Sequence, residues 1–426
     1  MKFSKMSQLF LVSSIGLIVA TLLTACEITT IDFVYVASSS GVEIYAVDSE
    51  SGALRTGDPT ITTGISAPVA LATTSDYTNL YVANAGINTI VHFTIGINGD
   101  LTSKDTVTLS GTPVSMAVNQ AGTYLYVISC TSAAQTTPVN CVSSGMLTEY
   151  ALSSGAIGSE VAQAAISFSG YANLSSYASD VLIPTGITVL ANNGSTIIGN
   201  AVYVSAFDQT AYNPGCTPTP ACTPSSANPG WVFGFTIGSG GALSPTANSP
   251  YKAGVKPSAI ASDPTDRYVY VTDYASNQLI GYTILDLGTL NTLSFLPNGP
   301  FKTGNEPISL VIDPRGQFIY IANALDNSVS AYEIVLANGT PSAAVATSGT
   351  FTNLTDTQPV DIIVDPALGR FVYTANYLGN SVSGFLMNTT AGTLAATQAT
   401  PYPTGDKPTA LVGIPHGNHS TQAVNP

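Results

Sequence analysis

The stretch Phe33-Val34-Tyr35-Val36-Ala37-Ser38 is an apolar segment with a tyrosine at its centre, and similar segments occur six more times along the chain. Aromatic and β-branched residues in such a run favour a buried strand. The intervals between successive tyrosines are 46, 45, 77, 67, 50 and 53 residues. This period is typical of a four-stranded propeller blade, and we attribute the two long intervals to insertions. The central tyrosines are Tyr35, Tyr81, Tyr126, Tyr203, Tyr270, Tyr320 and Tyr373.

A second apolar segment precedes every Tyr strand except the first, and each begins with a proline. A tight turn such as Asp313-Pro314-Arg315-Gly316 separates the two segments in several repeats, because Asp and Pro preset the backbone for a turn. The prolines that begin this segment, hereafter the Pro strand, are Pro68, Pro113, Pro184, Pro257, Pro307 and Pro359.

A third strand follows each Tyr strand, as in Asn327-Ser328-Val329-Ser330-Ala331-Tyr332, where polar and apolar residues alternate. A Gly/Leu segment and a variable fourth strand complete the unit. The third strand carries an aromatic residue in all seven repeats, namely Tyr45, Phe93, Tyr150, Phe235, Tyr282, Tyr332 and Phe385.

The two ends of the chain predict how the ring closes. The first repeat lacks a Pro strand, whereas the last segment, Pro408 to Ile414, is a Pro strand with no Tyr strand after it. We therefore predict an all-β, seven-bladed β-propeller of four-stranded antiparallel blades, closed by the C-terminal strand joining the first blade. An open solenoid would leave both partial repeats unpaired. The propeller spans 33–414, and a C-terminal tail spans 415–426.

The Tyr-Val-Ala-Asn and Asn-Ser-Val-Ser units resemble the YVTN-type repeat. The seven-repeat ring resembles the propeller-type lactonase family, the group that includes bacterial 6-phosphogluconolactonases, and the resemblance covers residues 33–414. It implies the propeller fold and includes lactone hydrolysis among the expected activities. Because the repeat consists of turn and core residues, the same repeat also occurs in propellers that serve as binding or scaffold modules.

The composition excludes several classes of protein. Charged residues make up 8% of the 426 residues, against roughly 25% in an average soluble domain. A net charge of -14 argues against nucleic-acid binding, which needs clustered Lys and Arg. A hydrophobic fraction of 45% argues against disorder.

Residues 1–25 resemble a secretion signal, with Lys2 and Lys5 before an apolar stretch that is too short for a membrane span. The stretch ends at Cys26 in the pattern of a bacterial lipobox, so Cys26 is the predicted lipidation site and 26–32 a lipidated linker. An ordinary signal peptide with a chance cysteine is the alternative. We expect an exported protein anchored through its lipid in the cell envelope, on the periplasmic side of the outer membrane or at the cell surface.

Four cysteines remain, and an even number in an oxidising compartment indicates disulfides. We predict the local pairs Cys130–Cys141 and Cys216–Cys222, each closing a long insertion. The spacings match no common zinc pattern, so we predict neither a metal site nor a cofactor. Both insertions fall on one face of the ring, where they either shape a binding site or protect long loops from proteolysis.

The residues just before the Pro strands lie on that same face. Lys256, Glu306, Gln358 and Lys407 precede the Pro strands of consecutive blades and are predicted to converge at the channel mouth. Lactone hydrolysis needs a base to activate water and a cation to hold the oxyanion. Glu306 is the candidate base, and Lys256 or Lys407 the candidate cation. The alternative is a solvated rim of loop charges.

Two further residues are candidates. Asp361 occupies a Pro-strand position where the other repeats place Ala, Ser or Gly. It is either a catalytic carboxylate in the channel or an acceptor for neighbouring backbone N–H groups. Trp231, the only tryptophan, follows the second insertion and is a candidate ligand-binding residue.

Two functions follow. The first is a ligand- or protein-binding module of the envelope. It is favoured by the scarcity of potential catalytic side chains, since the whole chain has three His and four Arg. The alternative is a lactone hydrolase acting on a sugar-derived lactone. The expected partners are the membrane, through the N-terminal lipid, and either a small lactone or an envelope protein.

Overall fold

The computed structural model describes residues 29–57, 59–132, 139–191, 200–209, 211, 229–285, 291–335, 337–338, 340–342 and 353–417. The described chain forms seven antiparallel sheets arranged as the blades of a ring. The predicted signal, Cys26, the pair Cys216–Cys222 and most of the tail lie outside the described residues. No helix in the described part is long and apolar enough to cross a membrane.

The strands are numbered along the chain. Blades 1 and 2 contain β1 (Thr30–Ser38), β2 (Gly41–Asp48), β3 (Leu54–Thr56), β4 (Pro68–Thr73), β5 (Asn79–Asn84), β6 (Thr89–Ile95) and β7 (Leu101–Thr108). Blades 3 and 4 contain β8 (Thr112–Val118), β9 (Tyr124–Cys130), β10 (Met146–Ser153), β11 (Ala156–Ala165), β12 (Leu182–Val189), β13 (Ala201–Asp208), β14 (Gly230–Ile237), β15 (Leu243–Pro245) and β16 (Tyr251–Lys252).

Blades 5 and 6 contain β17 (Pro257–Ser262), β18 (Tyr268–Asp273), β19 (Gln278–Leu285), β20 (Thr292–Phe295), β21 (Phe301–Lys302), β22 (Pro307–Ile312), β23 (Phe318–Asn323), β24 (Ser328–Val335), β25 (Thr340–Ser342) and β26 (Asn353–Leu354). Blade 7 contains β27 (Pro359–Val364), β28 (Phe371–Asn376), β29 (Ser381–Met387), β30 (Leu394–Ala396) and β31 (Tyr402–Pro403). The last strand is β32 (Ala410–Pro415), and two short 3-10 helices span Ala172–Tyr177 and Ser239–Gly241.

Each blade is ordered from the Pro strand at the centre outward to the variable strand, as the repeat predicts. Blade 1 has the order β32-β1-β2-β3, so the C-terminal strand supplies its innermost position. The pairing of β32 with β1 runs from Asp32↔Pro415 to Ala37↔Ala410. This confirms the predicted closure, and the strands extend the predicted bounds of 33–414 by three residues and one residue.

The variable fourth strand is interrupted in blades 4 to 7. In each of these blades two short segments, such as β15 and β16, pair with the same third strand. Each segment is two to four residues long, so the outer edge offers only short runs of unpaired backbone.

The Asp-Pro turns explain why the Pro strand and Tyr strand pair so regularly. The carboxylate of Asp313 accepts backbone N–H groups of Gln317 and Phe318 at 2.6 and 2.7 Å. Asp263 does the same for Arg267 and Tyr268. A buried aspartate thus accepts the backbone N–H groups of the turn at the start of the Tyr strand.

The central tyrosines are fully buried, and in the described part of the chain the hydroxyl groups of five of them donate to the next blade. Each acceptor is a backbone carbonyl in the turn between the third and fourth strands of the next blade. The donor and acceptor pairs are Tyr35–Gly99 (2.7 Å), Tyr81–Gly155 (2.6 Å), Tyr203–Asn291 (2.7 Å), Tyr320–Gly392 (2.8 Å) and Tyr373–Gly52 (2.7 Å).

Glycine at four of these five turns allows the close approach. Gly392 has φ of +68°, and a Cβ there would lie 2.4 Å from a ring carbon of Phe318. A side chain would therefore strain the backbone and separate the blades. The turn, the aromatic ring and the tyrosine hydroxyl form one inter-blade contact.

Replacing Tyr373 by Phe should lower the free energy of unfolding by about 1–3 kcal/mol, because the buried Gly52 carbonyl loses its donor. Urea unfolding of the purified protein measures this change. Tyr177→Phe is the matched control, since Tyr177 is 51% exposed, and should change stability by less than about 0.5 kcal/mol. Equal effects of the two substitutions would contradict a special role for the buried hydroxyl.

Candidate functional site

A cavity of about 650 Å³ opens at the end of the ring where the Pro strands begin. All seven blades contribute to it through the residue that follows the proline of each Pro strand. Four of these are aliphatic and three carry a hydroxyl, so one short side chain per blade forms a ring around the channel mouth. They are Val69, Val114, Thr185, Ser258, Ile308, Val360 and Thr409.

The connections between second and third strands form the cavity wall. The predicted disulfide Cys130–Cys141 is present, with the Cα atoms 5.7 Å apart. Both cysteines are buried against Ile183 and Phe207, and Cys141 lines the cavity. The described end of the first insertion, residues 139–141, therefore forms part of the wall over the channel mouth.

Lys256 lies in the cavity between two aromatic rings. Its ammonium nitrogen is 5.4 Å from the ring centre of Phe207 and 5.1 Å from that of Tyr274. Burial lowers the pKa of Lys256, and the negative charge of nearby Glu306 opposes that shift. The backbone N–H of Lys256 donates to the buried carboxylate of Asp273 at 2.9 Å, which fixes the loop that carries the cation.

The other residues before the Pro strands are held by the preceding blade. Asparagine side chains accept the backbone N–H of the next residue in this set, at 2.7–2.8 Å, in the pairs Asn277–Glu306, Asn327–Gln358 and Asn380–Lys407. Glu306, Gln358 and Lys407 all adopt positive φ of 55–58° there. The asparagine contact stabilises this uncommon backbone and sets where each side chain leaves the loop.

These predicted site residues do not all reach the cavity. Gln358 and Lys256 line it, and Glu306 lies close enough for its charge to act on Lys256. Lys407 is exposed, and its ammonium nitrogen is 5.8 Å from the ring centre of Tyr377, another lining residue. Of the four residues predicted to converge, Lys256 and Gln358 therefore share the cavity, and Glu306 acts on Lys256 through its charge.

Asp361 joins three innermost strands. One carboxylate oxygen accepts the hydroxyl of Ser309 in blade 6 and the N–H of Ile362, both at 2.9 Å. The other accepts the N–H of Leu411 in the closing strand at 2.8 Å. Burial raises the pKa of Asp361 to about 6, and the three hydrogen bonds oppose that shift. This is the geometry of the structural acceptor, and Asp361 is not among the described residues that line the cavity.

Trp231 lies in the core between blades 3 and 4 rather than in the cavity lining. Its ring packs edge-on against Phe168, with ring centres 5.1 Å apart, and the ammonium nitrogen of Lys252 lies 3.5 Å from its centre. The insertion before it suggested a binding residue, but its position in β14 points the indole into the inter-blade core.

Phe207, Tyr274 and Tyr377 line the cavity and were not predicted from the sequence. Tyr274 and Tyr377 are the first residues after the Tyr strands of blades 5 and 7. An aromatic residue at this repeat position was the signal that could have identified them.

The lining limits the chemistry of the site. Lys256 is the one cation among the described lining residues, accompanied by hydroxyl and amide groups and a largely apolar wall. No group of three or more metal-ligating side chains occurs in the described part of the chain. A protonated Lys256 can hold a developing oxyanion, and Glu306, whose negative charge acts on Lys256, is the candidate proton acceptor.

Comparison with known proteins gives one matching family model, described as "Lactonase, 7-bladed beta-propeller", over residues 30–153 and 230–413. A search of curated proteins found no match. Among solved structures, a candidate 6-phosphogluconolactonase from Bacteroides fragilis is 15% identical, with 90% of this chain and 98% of that chain covered and a TM-score of 0.66. The periplasmic gluconolactonase of Pseudomonas aeruginosa is 16% identical, with coverages of 90% and 99% and a TM-score of 0.65. These structural similarities show the fold alone.

The raised pKa of Asp361 predicts a pH effect on stability. Its folded-state pKa of about 6 lies above the ordinary value of 3.8, so the unfolded chain loses the proton first as pH rises. Stability from this group is present below about pH 4 and lost as pH rises through about 6. Urea unfolding of the wild type and Asp361→Asn between pH 4 and 7 should show the wild type losing stability relative to the variant over this window. A difference that stays constant with pH would contradict this role.

Proposed function

We propose that this chain, which belongs to the lactonase family of seven-bladed β-propellers, hydrolyses a lactone in the cavity lined by Lys256 and Gln358. The observation that carries the proposal is the placement of a partly buried ammonium group in the cavity with the Glu306 carboxylate acting on its charge. The family match favours the hydrolase over the binding module suggested by the low content of His and Arg.

The reaction consumes one water molecule and opens the ring. Glu306 takes a proton from water as the water oxygen bonds to the lactone carbonyl carbon. The carbonyl oxygen becomes an oxyanion held by the Lys256 ammonium group. The ring C–O bond then breaks, and the alkoxide takes the proton from Glu306 to give a hydroxy acid.

The surroundings of Lys256 suit this role. The rings of Phe207 and Tyr274 favour a cation at this point while excluding water. Asp273 holds the loop backbone, so Lys256 is positioned before the substrate arrives. Gln358 supplies an amide to the same cavity and can orient the lactone.

Replacing Lys256 by Met should lower kcat/KM for lactone hydrolysis by about 100-fold or more, as expected for loss of an oxyanion donor. Glu306→Gln should lower it by a similar factor. Assays that follow acid release with a pH indicator, on a panel of γ- and δ-lactones, measure kcat/KM for both variants. Lys104→Met, an exposed cation on β7, is the matched control and should leave the rate unchanged. Absence of turnover of every lactone above the buffer rate would overturn the proposal.

We also propose that the protein is exported and held in the cell envelope by a lipid on Cys26, from the lipobox pattern that ends at this residue. The name of the periplasmic gluconolactonase supports this location for a propeller of this fold.

Cys26→Ser should abolish incorporation of a labelled fatty acid into the protein, because the thiol that takes the lipid is lost. Feeding the bacterial host an alkyne fatty acid and detecting the label on the purified protein measures this. The double variant Cys130→Ser/Cys141→Ser is the control, since it removes other cysteines without touching the predicted lipid site. Unchanged labelling of Cys26→Ser would contradict lipidation at this residue.

A further inference from the structure

The cavity wall is unusual for a site that binds a sugar. Ile183, Phe207, Ile308 and Val360 present carbon surface to the interior, and the described lining residues include no carboxylate. A sugar lactone carries a hydroxyl on almost every ring carbon, and each must find a partner when it leaves water. The lining also contains hydroxyl and amide groups, but the three hydroxyls in the ring around the mouth already donate to backbone carbonyls of the protein. A sugar would therefore find few free donors among them.

A phosphorylated substrate fits less well still. Arginine is the side chain best matched to phosphate, and all four arginines of the chain lie elsewhere. Arg55 is on the outer strand β3. Arg267, Arg315 and Arg370 follow the Pro strands at the opposite end of the ring, where Arg315 donates to the carbonyls of Leu368 and Gly369.

Exposed aliphatic residues occur next in sequence to residues of the cavity lining. Three exposed aliphatic residues each come directly after a residue that lines the cavity. Val142 follows Cys141 and is 52% exposed; Leu325 follows Ala324 and is 63% exposed; Leu378 follows Tyr377 and is 58% exposed. Exposed aliphatic residues at the border of an apolar cavity favour a ligand whose carbon chain extends beyond it.

We infer that the ligand of this cavity is an uncharged lactone bearing an alkyl substituent, with the ring carbonyl at Lys256 and the alkyl chain lying along the apolar wall toward Leu325 and Leu378. The reaction itself rests on the proposed function, whereas the ligand class rests on the lining and the rim. A sugar lactone, phosphorylated or not, is the competing ligand.

One series of six-membered lactones tests the ligand class with the ring held constant. The probes are δ-valerolactone, δ-decalactone, δ-dodecalactone, glucono-δ-lactone and its 6-phosphate, assayed with the full chain against buffer. We expect kcat/KM to rise about tenfold or more from δ-valerolactone to δ-dodecalactone, since each buried methylene adds to binding. Preference for glucono-δ-lactone or its phosphate over the alkyl lactones would overturn the inference and leave the hydrolase proposal intact.

Variants at the rim test where the chain lies. Leu325→Ser combined with Leu378→Ser should lower kcat/KM for δ-dodecalactone by about tenfold and leave δ-valerolactone unchanged. Leu285→Ser is the matched control, because Leu285 is an exposed leucine where β19 ends at the opposite face. An equal loss for both lactones, or no loss for either, would contradict binding of the chain at this rim.

Binding of unreactive lactams separates the two proposals. The lactam analogues of δ-decalactone and glucono-δ-lactone keep the ring and substituents but resist hydrolysis, so calorimetry reports affinity alone. Tighter binding of the alkyl lactam supports the ligand class even if no lactone is turned over, a result that would overturn only the hydrolase. Tighter binding of the sugar lactam would overturn the ligand class whatever the turnover.

Discussion

The buried tyrosine hydroxyl is the contact on which the ring depends. Backbone hydrogen bonds hold each sheet together, and few of those described, such as Gly145 N–H to the Leu182 carbonyl, cross from one blade to the next. The hydroxyl of Tyr320 or Tyr373 does so, because a buried O–H must find an acceptor and the carbonyl in the next blade's turn supplies it. Blade 7 uses the same contact to reach blade 1 through Gly52. This boundary is therefore built like four others in the described part of the ring.

The cavity follows from this ring. Once the blades are set, the start of every Pro strand points toward the axis at one end, and the residue after each proline meets the same space. The asparagine contacts to Glu306 and Gln358 pass across blade boundaries, so each loop is held by its neighbour. Asp361 adds a third kind of inter-blade contact by accepting from Ser309 and Leu411. The contacts that hold neighbouring blades together therefore also position the loops of the candidate site.

The sequence predicted part of the candidate site. The repeat register was enough to place Lys256 and Gln358 at the channel mouth, because equivalent positions in a closed ring share a face. It was not enough for Trp231 or Asp361, whose side-chain directions depend on the twist of β14 and on the spacing of adjacent inner strands. Nor did it identify Tyr274 and Tyr377, although both are aromatic residues at the same repeat position, directly after a Tyr strand.

The sequence by itself determined the number of blades, the order of strands within them and the closure by β32, because these depend on a period, on turn residues and on which repeat is incomplete. It also determined the local disulfide Cys130–Cys141, since only a short segment separates the two cysteines. The tertiary structure decided which side chains share the cavity, and that Asp361 acts within the strand layer. These features depend on distances between residues that are far apart in the sequence, such as Ser309 and Asp361, which are 52 positions apart. Only the packing of the blades into a ring sets those distances.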